Sequence, residues 1–242
     1  MIASMLHIAR REMRSFFAQP MAWIVLVLYL FLNSMILAVE LEYYKRTDFA
    51  LILRNNLYLL WLAMPLLTMR SISEEIRSGT LEMLLCSPLS EWSIAVGKFL
   101  GQLAFLIVML IPTIGFIFVM LYLGATLDWA AIGLLYLGLL LLGSVYIAIG
   151  IFVSAMTENQ VIAALVTFML IAIVSFAGAQ QAGALFDITF ETQRILNFAA
   201  VDSHLHSFMA GEFDTRDISY LLMVAALFVY GSSRAIAMRR WA

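Results

Sequence analysis

Charge is what this chain has least of. Only 12% of its 242 residues are Asp, Glu, Lys or Arg, whereas 64% are hydrophobic, and the mean hydropathy is +0.97. Soluble domains carry about 25% charged residues, and half that supply does not cover a water-facing surface. The composition therefore predicts an integral membrane protein. Cysteine is nearly absent too: the single Cys86 excludes an intrachain disulfide. The apolar runs also lack ionisable groups. All 16 carboxylates fall in or near polar stretches, and with Arg54 at a helix entrance no cation sits in the middle of a run. Ion-coupled carriers and charged-ring channels need such groups at membrane depth, so the distribution argues against both. There is no G-x-x-x-x-G-K-[ST] phosphate loop and no H-E-x-x-H pair. The expectation is a non-enzyme without cofactor, metal or nucleic-acid partner, whose energy comes from elsewhere.

What is present reads as an all-α membrane protein of one domain, residues 1–242. Residues 1–19 put Met5, Leu6, Ala9, Met13, Phe16 and Phe17 on one helical face and Arg10, Arg11 and Arg14 on the other. That spacing predicts an amphipathic helix bedded at the lipid interface, stopped by Pro20. Six apolar runs of spanning length follow, at about 21–39, 51–69, 92–122, 129–154, 161–178 and 218–238. Pro112 predicts a bend in the third, and Gly133, Gly138, Gly143 and Gly150 predict close helix approach along the fourth. Residues 179–217 are too long for an idle connection and predict short amphipathic helices dipping into the outer interface. There, Asp202, His204 and His206 suggest a metal site only weakly, because histidines two apart do not share a helical face.

The long polar interruption, residues 70–98, is the most informative stretch. Ser71 with Glu74 fits a capping box, Gly79 a C′ residue, Pro88 a stop, and Ser90 an N-cap for the third run. Thr157 and Gln160 fit a second capping box, and Asp214 with Asp217 a cap for the sixth run. An even number of spans puts both termini on one side together with the 70–98 stretch. That side holds nine of the 14 Lys and Arg residues (Arg10, Arg11, Arg14, Arg70, Arg77, Lys98, Arg234, Arg239, Arg240) against five on the other. The positive-inside rule makes it cytoplasmic.

The stretches Ala9-Arg-Arg-Glu-Met-Arg-Ser-Phe-Phe-Ala-Gln-Pro20, Met69-Arg-Ser-Ile-Ser-Glu-Glu-Ile-Arg-Ser-Gly-Thr-Leu-Glu-Met-Leu-Leu-Cys-Ser-Pro88, Thr157-Glu-Asn-Gln160, Asp202-Ser-His204 and Asp214-Thr-Arg-Asp217 together resemble an ABC-2 type transporter permease of the gliding-motility (GldF-like) branch. Ile76 and Cys86 depart from the branch's usual basic and hydroxyl residues. The resemblance implies a permease subunit in a bacterial inner membrane, an exporter driven by two separate cytoplasmic ATPase subunits. It implies pairing with a second copy or a homologous permease, and work beside a membrane-anchored protein with a large outer domain. It makes residues 1–19 an elbow helix (Arg10, Arg11, Arg14, Phe16, Phe17) and residues 70–91 a coupling helix region between spans two and three. In that region Glu74, Glu75, Arg77 and Glu82 pair with the ATPase, and Leu81, Leu84 and Leu85 fill its groove. Gly79, Thr80 and Pro88 belong to the same pattern. A second reading has the subunit relay ATPase cycles to an outer-face partner as a non-transporting scaffold.

Overall fold

The computed structural model describes residues 2–44, 49–85, 90–124, 128–176, 198–209 and 211–240. Among them there is helix and turn but no strand. Helix α1 spans Ile2–Ala18, and Pro20 opens α2, Pro20–Val39, at a position where its missing N–H costs nothing. Helix α2 runs on through a π turn, Glu40–Tyr44, and α3 spans Phe49–Thr68. The polar interruption folds as two short helices, α4 (Ser73–Arg77) and α5 (Thr80–Leu85). Between them Gly79 takes φ +71°, the left-handed stop its place predicts. Helix α6 spans Glu91–Leu110, tightens into a 3-10 turn at Ile111–Ile114 around Pro112, and continues as α7, Gly115–Tyr122. Helix α8 spans Trp129–Met156 and α9 Gln160–Phe176. A 3-10 turn at Val201–His204 leads into α10, Leu205–Met209, and α11 spans Thr215–Arg239.

Four of these stretches are long and apolar enough to cross a membrane: Pro20–Glu42, Glu91–Tyr122, Trp129–Met156 and Thr215–Arg239. Helix α9 is apolar but shorter. Helix α3 has 20 residues but begins with polar Arg54, Asn55 and Asn56 close to its start. Asn56 is not left at a wet entrance, as its neighbours suggested. It is buried and accepts a 2.6 Å hydrogen bond from Tyr29 of α2, which satisfies the amide inside the bundle.

Helix α8 is the spine. Asp128 caps it by accepting from the Ala130 and Ala131 amides, and α3, α6, α9, α10 and α11 all pack on it. Its glycines set the distances. A Cβ at Gly150 would stand 2.0 Å from Thr68 Oγ1 of α3, one at Gly143 2.4 Å from Leu106 of α6, and one at Gly138 2.7 Å from Leu205 of α10. Gly133 faces open space.

Helix α1 lies lengthwise along the first half of α6 rather than flat and alone. Ile8 sits against Gly97, Ala9 and Glu12 against Gly101, and Phe16 stacks on Phe105 at 5.0 Å. The small-xxx-small pair Gly97 and Gly101 allows this approach. The inner face of α1 is therefore turned from the one its apolar pattern suggested. Ile8 is buried and Glu12 faces inward, while Leu6 (60%) and Phe17 (40%) are exposed.

Candidate functional site

The polar interruption is fastened to four other helices by three attachments, each through a side chain. Its first attachment is to α8. Ser154 Oγ accepts from the amides of both Ile72 and Ser73, each at 3.0 Å, and donates to the Met69 carbonyl at 3.2 Å. The orphan amides that open α4 are thus capped from 80 residues away. The capping box expected from Ser71 and Glu74 does not form: α4 starts after Ile72 without a local side-chain cap, and Ser71 Oγ is buried without a partner. The second attachment is to α9, where Arg70 Nε donates to Gln160 Oε1 at 3.2 Å. Gln160 is consequently not part of a cap, and Asn159 accepts from the Val161 amide in its place.

The third attachment is ionic. Lys98, in the second turn of α6, is 1% exposed. Its ammonium reaches Glu12 Oε1 of α1 at 2.5 Å, Glu75 Oε1 of α4 at 2.9 Å and the Ser71 carbonyl at 2.6 Å. Three donors meet three acceptors, the full capacity of a lysine. Two carboxylates around one ammonium leave an excess negative charge, and Arg11 stands 3.5 Å from Glu75 to offset it. Lys98 closes the polar stretch 70–98, near the start of the helix and not in the middle of the apolar run, yet it is buried. Its partners come from residues 12 and 75, so no local pattern announces it.

An open cleft of about 640 Å³ lies beside this cluster, walled by α1, the start of α4 and α5. Of the residues assigned to the ATPase, Glu74, Arg77, Gly79, Thr80 and Glu82 are exposed. Glu75 turns toward Lys98 along the wall of that cleft, and Leu81 is 3% exposed inside the chain's own core. Leu84 is half-buried against that core, and Met83, which the leucine pattern overlooked, is 75% exposed. The Leu85 side chain and Pro88 lie outside the described residues, as does Cys86. Arg10 and Arg14 are exposed, and Phe16 is packed on Phe105.

A second polar cluster joins the far segment to the bundle. Asp202 Oδ1 accepts from Tyr146 of α8 at 2.7 Å and from Ser175 of α9 at 3.1 Å, while Trp61 of α3 donates to the Tyr146 hydroxyl at 3.0 Å. His204 places Nδ1 2.7 Å from Asp217 Oδ1 and Nε2 2.9 Å from the Phe198 carbonyl, and Ser207 donates to the other Asp217 oxygen. Both His204 nitrogens are committed to protein acceptors, and no group of three or more His, Cys, Asp or Glu among the described residues is placed to hold a metal. The His206 side chain lies outside the description. Asp214 caps α11 through the Arg216 amide, whereas Asp217, expected beside it as a cap, serves His204.

A family model described as ABC-2 family transporter protein matches residues 6–230. No curated protein matches the chain.

Proposed function

Since the chain belongs to the ABC-2 transporter family, and is thereby a membrane permease component of an ABC transporter, we propose that α4 and α5 receive the stroke of a separate ATPase and pass it into the bundle. The observation that carries this reading is the threefold attachment of α4: Ser154 ties it to α8, Arg70 to α9, and Glu75 through Lys98 to α6 and α1. A push on a short, capped helix held this way moves four helices together, because packed interfaces switch between discrete arrangements rather than yielding smoothly.

In this reading α2, α3, α6 with α7, α8, α9 and α11 make six spans, and both termini lie in the cytoplasm with α4 and α5. Two copies, or a copy and a homologous permease, meet two ATPase subunits in a bacterial inner membrane. The loop pattern Glu-Glu-x-Arg-x-Gly-Thr-x-Glu-x-Leu-Leu supports the gliding-motility branch and, with it, export. Met83 is the apolar anchor for the ATPase, rimmed by Glu74, Arg77, Thr80 and Glu82.

The test separates docking from transmission. Met83→Asp with Glu82→Lys should abolish co-purification with the cognate ATPase. Ser154→Ala should leave co-purification intact and remove the permease's stimulation of ATP hydrolysis. Unchanged stimulation in Ser154→Ala would sink the proposal.

A further inference from the structure

We propose that α1 carries a binding site for the headgroup of an anionic phospholipid, in a cavity that the transport reading does not use. The cavity holds about 520 Å³ and is lined by Ser4, His7, Arg10, Arg11 and Arg14 of α1, with Leu84 of α5 as its far wall. No carboxylate lines it. Arg10 and Arg14 are exposed and make no hydrogen bond or ion pair among the described residues, and Arg11 is 55% exposed with only a 3.5 Å contact to Glu75. The other cations on this end of the bundle are engaged or stand singly: Arg77 is exposed alone, and Arg234 shares its cavity with Glu91. Arg239 holds the Ala155 and Met156 carbonyls and Glu158, Arg240 holds Glu91, and Lys98 is saturated. Arginines left unpaired around a cavity suit a phosphodiester, which a guanidinium fork grips through two oxygens.

The choice of a lipid over an acidic protein rests on what flanks the cavity. At 100° per residue, Arg10, Arg14, His7 and Arg11 occupy one edge of α1. The adjoining edge carries Leu6, Met13 and Phe17, of which Leu6 and Phe17 are exposed. Trp23, at the start of α2, is 49% exposed, donates its indole N–H to the Phe17 carbonyl and meets the Phe17 ring edge-on at 5.6 Å. An uncovered apolar ridge ending in an anchored Trp–Phe pair, beside a basic ridge, is the arrangement of a helix edge at the boundary of acyl chains and phosphates. The acyl chains would lie along Leu6 and Phe17 and the phosphate at Arg10 and Arg14. An acidic protein surface gains nothing from the apolar ridge.

The experiment uses the full chain, purified in a neutral detergent without any ATPase, so its outcome is independent of the coupling proposal. Dioctanoyl phosphatidylglycerol, dioctanoyl phosphatidylcholine and inorganic phosphate are titrated by microscale thermophoresis. Saturable binding of the glycerol lipid is expected, roughly tenfold or more tighter than the choline lipid, and largely lost in Arg10→Gln/Arg14→Gln. Arg234→Gln, which changes an exposed cation on α11, should bind as the unaltered chain does. Arg10→Lys/Arg14→Lys should recover part of the affinity, since it keeps charge without the fork. Equal binding of the two lipids, or retained binding in the glutamine variant, overturns the proposal. So does inorganic phosphate that binds as tightly as the lipid, because the apolar ridge would then contribute nothing. If the glutamine variant keeps the lipid but loses the ATPase in a separate pull-down, the ridge docks protein and the lipid site is refuted.

Discussion

Lys98 is the residue on which α1, α4 and α6 converge. Removing one partner of a buried ion pair costs about 3–5 kcal/mol, whereas replacing the whole group by apolar side chains of similar size is often neutral. Lys98→Met, which strands the Glu12 and Glu75 carboxylates, should therefore lower the stability of the purified chain by about 3–5 kcal/mol, read as a fall in the midpoint of thermal unfolding in detergent. Lys98→Met with Glu12→Gln and Glu75→Gln should recover most of that loss while leaving ATPase stimulation impaired, because the neutral triple variant no longer fastens α4 to α6. A triple variant that couples normally would show the cluster to be structural only. Glu75 illustrates how far sequence goes at this scale. Its place in a charged, capped stretch marked it as important, but a lone carboxylate next to Glu74 gives no sign which of the two faces inward. That choice is made by Lys98, 23 positions on, and by Glu12, 63 positions back.

At the scale of elements, the helices themselves were legible, and so were most of their punctuation marks: Pro20, Gly79, Ser90, Pro112 and Asp214 stop, start or tighten helices where their chemistry predicts. Two capping boxes failed for different reasons: at α9 the adjacent Asn159 takes the first amides, and at α4 a distant side chain does. There a local side chain and a distant one compete for the same amides, and the distant Ser154 won because α8 is pinned against α3 next to it. Gly150 makes that proximity possible. Gly150→Ala would force a methyl into Thr68, whose Cβ lies 2.5 Å from the site and cannot swing aside. The expected cost is about 1–3 kcal/mol for overpacking, together with faster hydrogen exchange over residues 72–79 as Ser154 is drawn away. Gly133→Ala, in open space, should do neither. Rotation of α1 was also invisible locally: the apolar set Met5, Leu6, Ala9, Met13, Phe16 and Phe17 is wide enough for several faces, and Gly97 with Gly101 selects the one centred on Ile8.

For the whole molecule, the segment before α11 changes the picture of an evenly apolar bundle. Asp202 meets Tyr146, Leu205 and Phe208 lie over Gly138, and Gly211 lies over Ala131. From residue 202 to residue 211 the chain thus climbs along α8 past positions 146 to 131, and 146 − 131 = 15 residues of helix rise about 22 Å. In the six-span reading residues 202–211 run from roughly mid-depth to the outer end of α8. They carry a carboxylate to a level where none was expected, satisfied by Tyr146 and Ser175. The sequence placed Asp202 in a long polar connection and so could not place it inside, since depth is a property of the path and not of the residue. Two cysteine variants test the path in a Cys86→Ser background, using a membrane-impermeant maleimide added to the outer side. Glu212→Cys, on the exposed turn before Asp214, should label rapidly. Ser203→Cys should label slowly or not at all. Adding Asp217→Asn, which weakens the hold on His204 and Ser207, should raise the Ser203→Cys rate by roughly tenfold if the two contacts together contribute about 1–2 kcal/mol to keeping the segment seated. Equal labelling of Glu212→Cys and Ser203→Cys without that change would mean the segment lies on the surface, and Asp202 would then face water and not the bundle.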